Sequence, residues 1–195
     1  MLNKILSIPV LLGSQSPRRR NLIAQLGFEQ IRTTVAKGDE TYPEDLPSYQ
    51  IPGFLAQKKA QELTGEKQNN EVLITADTMV FLNKTILGKP GNKHQAKEML
   101  RQLSGNTHTV ITGVCLVYKE KEIVFSEKTD VKFARLPDEE IDYYVEKFNP
   151  LDKAGSYGIQ EWIGYTGIEK INGCYYNVMG LPLHRLYAEL KKASA

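Results

Sequence analysis

Hydrophobic residues recur along this chain in two rhythms, short continuous runs and a helical spacing. Pro9 to Gly13 (PVLLG) is an apolar run closed by glycine, which reads as a buried strand. It passes into Ser14-Gln15-Ser16, after which Leu22, Ile23 and Leu26 recur at helical spacing. Ser16 suits the N-cap, Pro17 the first helical position and Gly27 the C-terminal cap. The chain therefore opens strand, polar turn, helix.

Ile31 to Val35 reads as a second strand. The acidic, proline-rich stretch Lys37 to Pro52 opposes both helix and sheet and is expected to be a mobile loop. Phe54 to Leu63 is helical in pattern. Val72 to Val80 is apolar around Asp77-Thr78, and Asn83-Lys84 turns the chain toward Thr85-Ile86-Leu87. His94 to Leu103 is a second amphipathic helix, closed by Ser104-Gly105. Thr107 to Val117 and Glu122 to Phe133 are β-rich and joined by Lys119-Glu120-Lys121, which predicts a hairpin. Pro137 to Phe148 reads as a helix whose first turn is acidic, as the helix dipole favours. A glycine-punctuated segment, Asp152 to Gly164, precedes Tyr165 to Ile171, and Asn172-Gly173 predicts a two-residue hairpin turn. Leu181 to Lys192 closes the chain as a helix. The order is α+β or mixed α/β, without repeats.

At 195 residues the chain has the size of one domain and can bury a core without a disulfide or metal staple. With 41% hydrophobic and 25% charged residues it has a globular rather than a disordered balance. Lys plus Arg is 25 and Asp plus Glu is 23, a net charge of +2, which excludes a polybasic coat. Any anion site must be built locally. Cys115 and Cys174 stand far apart, as do His94, His108 and His184, so neither a disulfide framework nor a zinc site is expected. The apolar start, Met1 to Leu12, is broken by Pro9 and lacks a cleavage-site pattern, which points to a cytoplasmic protein.

Three features carry candidate chemistry. In Ser14-x-Ser16-Pro17-Arg18-Arg19, two arginines occupy the first turn of a helix, where free N–H groups already attract anions. Arginine forks bind phosphate oxygens bidentately, although an arginine-rich turn taken alone is equally a solvated basic face. Ala76-Asp77-Thr78 puts a carboxylate inside an apolar run, where it must be paired, bound to metal, set at a cleft edge or used to cap a turn. It is a candidate general base. Gly88-Lys89-Pro90 holds a lysine between turn-forming residues, a point-charge phosphate ligand outside any Walker A pattern. Asp39-Glu40 and Asp152-Lys153 add loop carboxylates. Oxygen-rich surroundings without thiolates suit Mg²⁺ or Mn²⁺.

The order of these segments carries a resemblance. Ser14-Gln15-Ser16-Pro17-Arg18-Arg19-Arg20, Leu55-Ala56-Gln57-Lys58-Lys59-Ala60, Ala76-Asp77-Thr78-Met79-Val80 and Gly88-Lys89-Pro90 come first. Leu151-Asp152-Lys153-Ala154-Gly155-Ser156-Tyr157-Gly158-Ile159-Gln160 and Val178-Met179-Gly180-Leu181-Pro182-Leu183 complete the series. Over nearly its whole length the sequence resembles the Maf (septum-formation inhibitor) family of nucleoside triphosphate pyrophosphatases, and within it the branch acting on dTTP and UTP. The resemblance implies an α/β fold over residues 1–195: a single elongated two-lobed domain, a mixed β-sheet flanked by helices, with a nucleotide-binding cleft, Maf/ITPase-like. It implies metal-dependent hydrolysis between the α and β phosphates, with Asp77 as base. Specificity then falls on Arg18, Thr78 and Gln160, and phosphate or metal support on Ser14, Arg19, Glu40, Lys59 and Lys89, with Glu40 and Asp77 the metal carboxylates. The implied partner is a nucleoside triphosphate, with no nucleic acid or membrane and room for a homodimer. The implied roles are removal of non-standard nucleotides and restraint of septation. Glu161 departs from the glycine usual in the family, and Arg20 adds a third positive charge.

The residues fit that chemistry. Arg18, Arg19 and Lys89 with a divalent metal would neutralise a triphosphate, and Asp77 would take a proton from the attacking water. Gln160 offers a donor and an acceptor to the edge of thymine or uracil. The alternatives are a non-catalytic nucleotide-binding regulator of septation, a 7-methyl-GTP pyrophosphatase, and an RNA-binding module. The last is disfavoured by the low net charge and the absence of aromatic residues interleaved with the arginines.

Overall fold

The structure, a computed structural model, describes residues 2–194. A short helix α1 (Leu2–Leu6), not expected from the sequence, leads into strand β1 (Val10–Gly13). Helix α2 (Pro17–Gln25) follows with Ser16 as its N-cap, the Ser16 hydroxyl accepting from the Arg19 amide at 3.5 Å. Gly27 lies just beyond the C-cap at φ +94°, the left-handed position that glycine fills without strain. The order continues β2 (Ile31–Thr34), α3 (Ile51–Leu63), β3 (Val72–Leu82), β4 (Thr85–Leu87), α4 (Lys93–Leu103), β5 (Thr107–Tyr118) and β6 (Lys121–Phe133). It closes with α5 (Asp138–Phe148), α6 (Trp162–Gly167), β7 (Ile168–Asn172), α7 (Tyr175–Val178) and α8 (Leu183–Ser194).

The seven strands form one mixed sheet in the order β2-β1-β3-β5-β6-β7, with β4 added to β3. This is the flanked mixed α/β sheet expected. The chain divides into two compact units whose boundaries fall inside β3, β5 and β6.

The first unit comprises Met1–Asp77, Thr112–Glu127 and Gly180–Ala195. β1 pairs in parallel with β2 on one side and β3 on the other, so Leu11 stands opposite both Arg32 and Leu73. Parallel neighbours need long connections, which here run through α2 and α3. α3 presents Ala56, Ala60 and Leu63 as a stripe, and these pack on Leu11, Leu73, Cys115 and Val117. The Thr75 hydroxyl donates to the Ala56 carbonyl at 2.6 Å. A Cβ on Gly113 would lie 2.1 Å from the Gly53 nitrogen, so β5 passes the start of α3 only as glycine. Burial pushes the Cys115 thiol up to about 12, an inert core sulfur, and both cysteines are free.

The second unit comprises Thr78–Ile111 and Lys128–Met179. The far half of β3 forms a hairpin with β4, turning through Asn83 at φ +55°. Its core gathers Leu100 and Leu103 of α4, Ile141, Tyr144 and Val145 of α5, Phe133 of β6, and Tyr157, Ile159 and Ile163. His108 stacks on Phe133 and meets Tyr157 edge-on.

Two expectations are corrected. α3 starts at Ile51 after a 3-10 turn (Ser48–Gln50), with Pro52 inside its first turn, where a missing N–H leaves nothing unsatisfied. The helix α6 forms where the sequence predicted no element. Asn172-Gly173 turns no hairpin: Asn172 ends β7 opposite Asp130 of β6, and the chain enters α7 instead. The Thr129 hydroxyl decides this exit. It accepts from the Cys174 amide at 3.0 Å and from the Asn177 side chain at 2.9 Å, and donates to the Cys174 carbonyl.

Candidate active site

Side chains alternate across a strand, so Asp77 shares the face of Leu73 and Thr75, the face covered by α3. On α3, Lys59 stands between Ala56 and Ala60 along the buried stripe, and its ammonium reaches Asp77. Lys59 Nζ lies 2.6 Å from Asp77 Oδ1 and 2.7 Å from Glu40 Oε1. Asp77 is the sixth of eleven residues in β3 and only 9% exposed, so it caps no turn. A carboxylate so placed requires a partner, and Lys59 is that partner.

Glu40 comes from the stretch between β2 and α3. That stretch is fastened along α3 at successive turns: Lys58 pairs with Asp39 at 2.5 Å, and Glu62 accepts from the amides of Lys37 and Gly38 at 2.6 Å and 3.0 Å. The acidic loop is thereby brought to Asp77.

Arg19 approaches from the first turn of α2. Its Nε donates to the Gly180 carbonyl at 2.8 Å, and its Nη1 donates to the Ala76 carbonyl at 2.8 Å and to Ser14 Oγ at 3.3 Å. Ser14 Oγ also accepts from the Ser16 amide at 3.2 Å. Ser14 thus orients the arginine. Burial pulls the Arg19 guanidinium below its ordinary value, opposed by Asp77 and Glu40 and assisted by Arg18. The guanidinium stays charged regardless. Arg18 is half-buried beside it, and Arg20 is exposed.

The second unit holds the remaining expected residues. Thr78 follows Asp77 in β3 and is half-buried. Lys89 is exposed after β4, and its loop is tied to the glycine-rich segment where the Gly155 amide donates to the Gly88 carbonyl at 3.1 Å. Gln160 is half-buried, its Oε1 enclosed and without a hydrogen-bond partner among the described residues, while its backbone carbonyl accepts from the Tyr165 hydroxyl. The structure therefore gathers Asp77, Lys59, Glu40, Arg19 and Ser14, and separately ties the Lys89 loop to the segment that ends at Gln160. Sequence reasoning passed over Tyr144, whose hydroxyl accepts from the Gly158 amide at 3.0 Å. The stripe Ile141, Tyr144, Val145 was its only signal: a buried tyrosine hydroxyl needs a partner.

Two carboxylates, Asp77 and Glu40, stand at the Lys59 ammonium. Among the described residues no three His, Cys, Asp or Glu form a cluster able to hold a metal alone. That donor set is wrong for zinc. It fits Mg²⁺ or Mn²⁺, which take one or two carboxylates and complete their shell with water and substrate phosphate.

A family model for Maf-like protein matches residues 9–193. The dTTP/UTP pyrophosphatase of Bacteroides thetaiotaomicron is 48% identical over 192 residues, covering 98% of this chain and 100% of that one. That of Phocaeicola vulgatus is 49% identical over 98% of this chain and 100% of its own length. That of Porphyromonas gingivalis is 49% identical over 98% of this chain and 97% of its own. Among solved structures, a HAM1 protein from Coxiella burnetii superposes with a TM-score of 0.51 at 14% identity, over 95% of this chain and 99% of that one. At that identity the likeness is one of fold alone. A family match over almost the entire chain and relatives near half-identity end to end have one meaning: this chain belongs to the Maf family.

Proposed function

We propose that the chain hydrolyses dTTP and UTP, cleaving between the α and β phosphates to release the nucleoside monophosphate and pyrophosphate. The observation that carries the reading is the buried Asp77 carboxylate, held by Lys59 and flanked by Arg19 and Glu40. An acid so placed among fixed positive charge can orient a water and take its proton, without a covalent nucleophile. Lys59 holds Asp77 in place through its ion pair. Arg18, Arg19 and Lys89 supply charge for the phosphates. Asp77 and Glu40 would hold Mg²⁺ or Mn²⁺, which when bound neutralises phosphate charge and makes water a stronger nucleophile. Thr78 and Gln160 are assigned to the nucleoside, with the enclosed Gln160 Oε1 as the acceptor for a base N–H.

Such an activity removes pyrimidine triphosphates, modified ones included, before a polymerase uses them. It works on free nucleotides in the cytoplasm and needs no nucleic acid or membrane partner. No helix among the described residues is long and apolar enough to cross a membrane. Restraint of septation is tested by over-expressing the wild type and Asp77→Asn and scoring filamentous cells; light scattering checks the homodimer.

The deciding experiment is pyrophosphate release by purified protein from a panel of standard and modified triphosphates, with Mg²⁺ and with Mn²⁺. The expected order places dTTP and UTP above CTP, the purines and 7-methyl-GTP. No release from any triphosphate would overturn the hydrolase reading; 7-methyl-GTP equal to or above dTTP and UTP would overturn the branch.

A further inference from the structure

Glu161 occupies the N-cap position of α6 yet makes no side-chain capping bond. Its carboxylate turns inward instead. One oxygen accepts from the Tyr144 hydroxyl, and the other pairs with Lys153 Nζ at 3.1 Å. Lys153 also pairs with the exposed Asp152 at 2.7 Å; it is 8% exposed and Tyr144 is fully buried, so the Glu161 end of this network sits largely out of water. The same Tyr144 hydroxyl accepts from the Gly158 amide at 3.0 Å. A Cβ on Gly158 would lie 2.7 Å from the Glu161 carboxyl carbon, so the glycine leaves room for that carboxylate. Burial and the neighbouring carboxylate push the Tyr144 hydroxyl far above its ordinary range, which keeps it a donor.

The segment from Gly158 to Glu161 is thus fastened at both of its ends and at the Gln160 carbonyl. Gly158 is held by Tyr144, Glu161 by Tyr144 and Lys153, and the Gln160 carbonyl by the Tyr165 hydroxyl. The side-chain oxygen is the exception: Gln160 Oε1 is buried with no hydrogen-bond partner among the described residues. An enclosed acceptor on a backbone fixed this firmly is built to receive a donor. Thymine and uracil carry such a donor, the N3–H of their imide. Cytosine presents an unprotonated ring nitrogen at the same place and would set acceptor against acceptor.

We propose that Glu161, acting through Tyr144 and Lys153, is a positioning residue for base selection, fixing Gln160 so that its Oε1 accepts the imide N–H and rejects cytosine. This rests on the pyrimidine-triphosphatase reading above. A buried charged network exceeds what chain closure alone requires, and a buried ion pair is weak evidence for stability but a means of fixing geometry.

The test is the ratio of kcat/KM for UTP to that for CTP in the wild type, Glu161→Gln, Tyr144→Phe and the double variant, each checked for folding by thermal unfolding. Misplacement of a recognition group costs about tenfold to a hundredfold, so each single variant should lower the ratio by that factor. The double variant should fall no further than the worse single. A merely structural role would depress UTP and CTP alike and leave the ratio unmoved. A ratio within twofold of wild type in folded variants, or a wild type that does not discriminate UTP from CTP, overturns the proposal. If Glu161→Gln does not fold, Tyr144→Phe decides. An inactive wild type would sink the pyrophosphatase reading instead, and UTP and CTP affinities by calorimetry would then supply the same ratio.

Discussion

Lys59 and Asp77 hold each other at 2.6 Å, an ammonium from the buried stripe of a helix against a carboxylate from the middle of a strand. The carboxylate, 9% exposed, needs that ammonium, and the ammonium is shared with Glu40 at 2.7 Å. The pair couples folding of the first unit to the chemistry assigned to Asp77.

Asp77→Asn keeps the shape and removes the charge. Turnover should fall by about 10²–10⁴, the usual contribution of a general base. Pyrophosphate release measures it, and a thermal unfolding curve shows the fold intact. Activity within a few-fold of wild type would take Asp77 out of the mechanism.

Arg19→Lys tests whether the fork matters beyond its charge. The guanidinium reaches the Gly180 and Ala76 carbonyls and Ser14 Oγ together, which one ammonium cannot do. Stability to urea should drop by about 1.5–3 kcal/mol, the value of hydrogen bonds to a charged group. Arg18→Ala and Lys89→Ala should instead raise KM and salt sensitivity, with the exposed Arg20→Ala as control.

His108 makes stability depend on pH. Burial depresses its pKa from 6.5 to about 4, with Asp130 opposing. As pH falls from 6.5 toward 4, the unfolded chain takes up a proton that the folded one refuses. Stability is therefore full above 6.5, declines through that window and levels below 4, a loss of about 3 kcal/mol. Urea midpoints across this range should fall less steeply for His108→Gln. An unchanged slope excludes His108 as its source.

Gly113→Ala should be costly. The new Cβ would meet the Gly53 nitrogen and the Pro52 carbonyl carbon at 2.1 Å, and backbone cannot step aside as a side chain does. The expected loss is about 3 kcal/mol or more, the upper end of overpacking. Gly65→Ala, with nothing within 4 Å of its Cβ, serves as the control in the same denaturation series.

What the sequence made legible was local. Ser16, Pro17 and Gly27 fix the ends of α2 through bonds that reach only a few residues, and Asp77 announced itself as a charge in an apolar run. The role of Thr129 in turning the chain at Gly173 was invisible, because the turn signal is local and the hydroxyl that overrides it sits on another strand. α1 has five residues, too short to hold itself by propensity, and exists through packing. Tyr144 read as core because its ring is core; only tertiary structure brings Glu161 and Gly158 to its hydroxyl. The resemblance supplied Lys59, but not that its ammonium stands between the two carboxylates assigned to metal.

The bond from Arg19 Nε to the Gly180 carbonyl spans 161 positions of sequence. Gly180 also opens the last of the three chain segments that build the first unit. On a ribosome, α2 and β3 emerge long before that carbonyl exists. A nascent chain therefore carries Asp77, Lys59 and Glu40 without the anchor that holds the arginine beside them. Chemistry that depends on that arrangement begins only after residue 180 has cleared the exit tunnel, so fragments released earlier would be deficient in activity.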